Sequence, residues 1–148
     1  MKPSQPLDTL QVLARNRSEA ALASLGTALA ASRTSDERLA LLERYRNEYR
    51  LHLATAERDG VSITSLTNHR AFLERLESAI SQAAEDAVSR RANAQADASR
   101  WHAERRKEKS LEVLVDRRTL KARTRAERQN QKQTDEVAAR VAGARDRS

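Results

Sequence analysis

The stretch Gly60-Val61-Ser62-Ile63-Thr64 decides how this chain folds. It combines a glycine, three β-branched residues and two side chains able to cap a helix, Ser62 and Thr64, and each of these disfavours carrying a helix straight through. On both sides the sequence favours helix. The two prolines sit at Pro3 and Pro6, and besides Gly60 only Gly26 and Gly143 supply flexible backbone. Gly26 costs about 1 kcal/mol relative to alanine, too little to end a long helix. The expected order is a disordered N-terminus over 1–6, helix 1 over about 7–59, a turn over about 60–64, helix 2 over about 65–142, and a disordered tail over 143–148.

Downstream of the turn, Leu66, His69, Leu73, Leu76, Ile80, Ala83 and Ala87 recur at alternating spacings of three and four. That is the seam of a coiled coil and not the alternation of a strand. The seam thins into an alanine-rich stretch through Ala98 and returns at Leu111, Leu114 and Val115. A short turn makes consecutive helices antiparallel, so positions whose numbers sum to about 124 should face each other. This register sets Leu10 and Leu13 against Leu114 and Leu111, Leu22 and Leu25 near Trp101, and Leu39 through Leu53 against Leu66 through Ala83. It also sets Ala28, Ala30 and Ala31 against Ala92, Ala94 and Ala96, where small side chains permit close approach. The fold class expected is all-α: one domain, a long two-helix antiparallel coiled coil with helix 2 longer than helix 1. Pairing uses helix 2 to about residue 117, leaving roughly 25 residues, or ~37 Å of helix, without a mate. Such a segment is marginal alone in water and calls for a partner.

Composition agrees with an elongated helical protein. Of 148 residues, 39% are hydrophobic, only 3% aromatic and 33% charged, which is wrong for a globule with a large core. The net charge of +7 is unevenly placed: residues 100–148 hold fifteen Lys+Arg against eight Asp+Glu, while the residues before them are balanced. A basic segment implies an acidic partner, whether nucleic acid, anionic lipid or protein. There is no cysteine, which removes disulfides and thiolate metal sites and fits a reducing cytoplasm. No apolar h-region of a signal peptide is visible, and no run reaches the roughly 20 apolar residues of a spanning helix.

Little in the chain suggests catalysis. His52, His69 and His102 are scattered, and neither a nucleophile elbow nor a phosphate loop is present. Glu104, Glu108, Glu112 and Asp116 put four carboxylates on one helical face, but Arg105, Lys107 and Lys109 flank them, so solvated charge is expected and not a metal site. His69 occupies a seam position, where a packed imidazole is expected before a lone ligand. Trp101 among Arg100, His102, Arg105 and Arg106 could stack on a nucleic-acid base, yet a stacking platform needs further aromatics, and a seam filler is the better reading. Near the turn, Tyr45 and Tyr49 lie one helical turn apart with Leu42 before them, and the register brings Phe72, Leu76 and Ala79 alongside. Two helices cannot bury every apolar residue among Leu39, Leu41, Leu42, Tyr45, Tyr49, Leu51 and Leu53, so some remain exposed or meet another protein, and core packing and partner binding weigh about equally for this patch.

Four segments resemble the FliJ family of flagellar export proteins, and the likeness runs over nearly the whole chain. They are Leu7-Asp8-Thr9-Leu10 with Leu13-Ala14; Tyr45-Arg46-Asn47-Glu48-Tyr49-Arg50; Asn68 through Phe72 with Leu76-Glu77-Ser78-Ala79-Ile80; and Gln131-Lys132-Gln133-Thr134-Asp135-Glu136-Val137-Ala138-Ala139-Arg140. The resemblance implies a non-enzymatic stalk or adaptor of the flagellar type III export apparatus, without cofactor or metal. It would be cytoplasmic and peripherally associated with the inner membrane at the flagellar base. Implied partners are the hexameric export ATPase FliI and the export gate protein FlhA, with FliH and export chaperones as further candidates, but no nucleic acid and no insertion into the membrane. Carried over residue by residue, the gate-binding patch would be Leu42, Tyr45, Tyr49, Phe72, Leu76 and Ala79. The contact with the ATPase ring would fall on Leu10, Leu13, Arg128, Gln131, Lys132, Asp135, Glu136 and Arg140. The alternative is a basic coiled coil that binds nucleic acid or serves as a structural scaffold.

Overall fold

A computed structural model describes residues 6–147 of the chain. Two helices, α1 (Pro6–Asp59) and α2 (Ile63–Asp146), form an antiparallel hairpin with extensive contact between them. Proline is tolerated at the first position of α1, where its missing N–H would be unpaired anyway. Asp8 in the first turn and Arg58 in the last complement the helix dipole. Gly60 then takes a φ of 90°, a left-handed conformation open to glycine, and ends the helix. Ser62 starts α2: its Oγ accepts the Ser65 amide at 3.2 Å, and its carbonyl accepts the Leu66 amide at 2.9 Å. Thr64, also a candidate cap, lies inside the first turn of α2.

Helix 2 runs through Gly143 to Asp146, beyond the end expected near Ala142. One glycine lowers propensity at a single position and does not by itself stop a helix. The N-terminal residues expected to be irregular lie, apart from Pro6, outside the described residues, as does Ser148.

The hairpin divides into two compact units. The first, residues 18–103, contains the turn. Its α1 seam, buried or half-buried, runs Ser18, Ala21, Leu25, Ala28, Ser32, Ser35, Leu39, Leu42, Arg46, Tyr49, Leu53 and Ala56 in unbroken four-three spacing. Its α2 seam follows the expected positions Leu66 to Ala87 and continues through Ala94, Asp97 and Trp101. Large apolar side chains fill the seam near the turn, and small or polar ones fill it farther on. Cross-helix bonds fix the register there. The Ser35 hydroxyl donates to Asp86 Oδ2 at 2.8 Å, the Ser24 hydroxyl to Asp97 Oδ2 at 3.0 Å, and Arg91 Nη2 to Asp36 Oδ1 at 2.9 Å. The residue numbers of these pairs sum to 121, 121 and 127, which brackets the expected value of about 124.

The second unit joins the residues up to Arg17 with those from Glu104 onward. Here Leu7, Gln11 and Ala14 form the α1 seam, and Glu104, Glu108, Leu111 and Val115 that of α2. From Asp116 to Arg147 every residue is exposed.

Several leucines expected in the seam face outward. Leu10, Leu13 and Leu114 in the second unit and Leu22 in the first are all exposed. Each stands one residue away from a seam position, Gln11, Ala14, Val115 and Ala21 respectively, and one residue rotates a side chain by about 100° around the helix. Phase, not side-chain size, selects the buried face.

Candidate functional site

In the turn-containing unit, Leu41, Tyr45 and Tyr49 follow each other at four-residue steps along α1. Leu41 and Tyr45 are exposed, the tyrosine at 53%, and Tyr49 is half-buried. The Tyr49 ring packs against Phe72 of α2 with centroids 4.7 Å apart and planes tilted by 48°, an arrangement that suits the quadrupoles of two aromatic rings. Its hydroxyl is hydrogen-bonded to His69 Nδ1, so the seam imidazole is packed and partnered. Arg50 and Glu77 form an ion pair between the helices beside this cluster.

Of the six residues expected to form the gate patch, Tyr45 and Phe72 are exposed, while Leu42, Tyr49 and Ala79 are half-buried. Leu76 is only 8% exposed. It belongs to the seam, so it cannot present itself to a partner. Leu41 was outside the expected set. Its spacing of four residues from Tyr45 was the signal that could have added it.

The residues expected to meet a ring all lie in the other unit. Leu10 and Leu13 are exposed on α1, and Leu13 joins Asp8, Thr9, Val12 and Asn16 around a shallow, largely apolar recess. Arg128, Gln131, Lys132, Asp135, Glu136 and Arg140 stand on the fully exposed stretch of α2. Among these six, Gln131 Nε2 donates to Asp135 Oδ1 at 3.0 Å. The two groups therefore form separate patches, one apolar and one charged.

The carboxylates of that unit differ from the expected solvated face. Glu108 is 7% exposed, at a seam position, with Arg105 Nη1 3.0 Å from its carboxylate. The same guanidinium lies 3.7 Å from Glu112, and Lys107 lies 3.8 Å from Glu104. Counting three residues back from Leu111 lands on Glu108 and four more on Glu104, a signal that the emphasis on apolar residues passed over. Among the described residues no cluster of His, Asp and Glu could hold a metal ion, and no helix is long and apolar enough to cross a membrane. Trp101 is half-buried in the seam of the first unit and packs on the His102 ring at 4.8 Å.

The geometry thus offers an aromatic patch near the turn and a charged helical stretch with an apolar patch in the other unit. Both are exposed surfaces, and neither gathers the convergent polar groups of a ligand pocket. The family described as "Flagellar FliJ protein" matches residues 2–147. A flagellar FliJ protein of Salmonella typhi is 29% identical over 136 residues, which cover 92% of this chain and 92% of that protein. One from Escherichia coli (strain K12) is 28% identical over 136 residues, again with 92% of each chain covered.

Proposed function

The chain belongs to the family of flagellar FliJ proteins, and from that premise we propose that it is a two-ended stalk of the flagellar export apparatus. It acts without catalysis of its own. The aromatic patch of Leu42, Tyr45, Tyr49, Phe72 and Ala79 docks on the export gate protein FlhA. The exposed stretch of α2, with Arg128, Gln131, Lys132, Asp135, Glu136 and Arg140, enters the hexameric export ATPase FliI together with Leu10 and Leu13. FliH and export chaperones are further partners, and the site of action is the cytoplasmic face of the membrane at the flagellar base.

One observation carries this reading: two exposed surfaces of different chemistry fall in separate compact units of a hairpin. An apolar aromatic patch suits a groove or pocket on a folded partner. A long helix without a mate gains stability when other surfaces surround it, as those of a ring would. A helix is asymmetric and a six-fold ring is not, so the helix meets each ring interface differently. Differential contact of this kind biases ring assembly and hydrolysis.

Site-specific cross-linking in cells from Tyr45 and from Gln131 tests the two-ended arrangement. The gate protein should be captured from Tyr45 and the ATPase from Gln131. Capture of the same partner from both positions overturns it.

A further inference from the structure

Residues 117–132 of α2 carry seven cations and one acid, Glu127. At about 100° per residue, Arg117, Arg118, Lys121, Arg125, Arg128 and Lys132 fall within one arc of about 100°, over about 22 Å of helix. Only Arg123 points away, to the side that carries Glu127 and Asp116. All six side chains of the arc are exposed. Among the described residues none of them has an ion-pair partner. Arg117, Arg118, Lys121 and Arg125 border one open recess with Leu114 and Ala122.

We propose that this basic arc adsorbs to an anionic lipid surface, with the helix lying along the headgroups and not entering the acyl region. A plane touching a helix meets an arc of about this width, so all six cations reach the headgroups at once. Leu114, at the arc's N-terminal edge, is its one large apolar side chain, too few for insertion, which leaves electrostatic attraction as the binding force. The walls of a nucleic-acid groove would also meet the opposite flank, where Glu127 and Asp116 oppose phosphate, and residues 103–148 contain no aromatic for base stacking. A partner helix covers a seam narrower than the arc. Arg128 and Lys132 also belong to the proposed ring surface, so bilayer and ring would compete for this helix. That consequence rests on the ring reading, whereas lipid adsorption does not.

The test is sedimentation of the purified full-length chain with phosphatidylcholine vesicles, with and without phosphatidylglycerol. Binding should require phosphatidylglycerol and fade as salt rises. Arg125→Gln should weaken it about fivefold, the equivalent of one basic residue near an anionic surface, while Arg123→Gln, the same charge change on the far side, leaves it unchanged. Neutralising Arg117, Arg118, Lys121 and Arg125 together should abolish it with helicity by circular dichroism retained. If that variant loses helix, the comparison of the two single variants decides. Failure to bind phosphatidylglycerol vesicles at low salt overturns the proposal, as does equal loss in Arg123→Gln and Arg125→Gln. A DNA duplex or an acidic peptide that binds tighter than the vesicles, with the same dependence on the arc, reassigns the surface and overturns it too.

Discussion

Ser35 and Asp86, on opposite helices, are joined by a 2.8 Å hydrogen bond from the serine hydroxyl to the carboxylate. That bond, ahead of the charges of Arg90 and Arg38, holds the Asp86 carboxyl below its ordinary value, against the opposing effect of desolvation. A carboxyl lowered in the folded state contributes stability above its unfolded value, near 3.8. The contribution fades as pH falls through the lower folded value. Ser35→Ala removes the bond, so the two proteins should differ in thermal midpoint at pH 6 and converge at the acid end. Circular dichroism melts over a pH series check this, and a gap that persists at the lowest pH refutes the assignment.

Glycine substitutions should act with opposite signs. Gly26 lies within α1 with open space where a Cβ would stand, so Gly26→Ala should stabilise the hairpin by about 1 kcal/mol. Gly60 has its φ at +90°, and alanine there should destabilise by about 1 kcal/mol or more. Denaturant unfolding of both variants gives the comparison.

The helical hairpin, its turn and the heptad seam from Leu66 to Ala87 were legible in the sequence, because glycine, β-branched residues and apolar spacing speak directly of backbone. The seam of α1 before Leu39 was not. There the buried positions are Ala14, Ser18, Ala21, Leu25, Ser32 and Ser35, of which only Leu25 is large and was expected, and the conspicuous Leu10, Leu13 and Leu22 lie one step out of phase. Weight given to large hydrophobes misleads where small residues hold the contact. Glu108 was misread for the same reason, since a buried carboxylate at a seam position is found only by counting the repeat through it. Of the candidate surfaces, the aromatic cluster could be located from spacing, but the orientation of Tyr45 outward and Tyr49 inward needed coordinates.

Leu76 and Tyr45 separate packing from docking. Leu76→Ala should lower stability by about 2–4 kcal/mol, the usual cost of emptying a buried leucine site. Tyr45→Ala should leave stability within about 0.5 kcal/mol, yet weaken binding to the gate protein about tenfold or more, as loss of an aromatic anchor does. Thermal melts and a binding titration with the purified gate domain read the two effects independently. A large loss of stability in Tyr45→Ala means that the side chain serves the fold.

Removal of residues 118–148 tests the ring surface. The shortened chain keeps every buried seam residue, so its hairpin should fold, and it should no longer raise the activity of the export ATPase or promote its hexamer. Full stimulation by the shortened chain places the contact elsewhere.

Between Ser18 and Ser35 the α1 seam holds alanine and serine with Leu25 as its one large member. Blunt teeth of this kind mesh without locking, so sterics alone do little to resist an axial slip of one helix along the other. What indexes the pair over this span is the set of three clasps, Ser24 to Asp97, Ser35 to Asp86 and Asp36 to Arg91. The turn end is thereby geared, and the span beyond it is only pinned. A twisting load would be absorbed first at those pins.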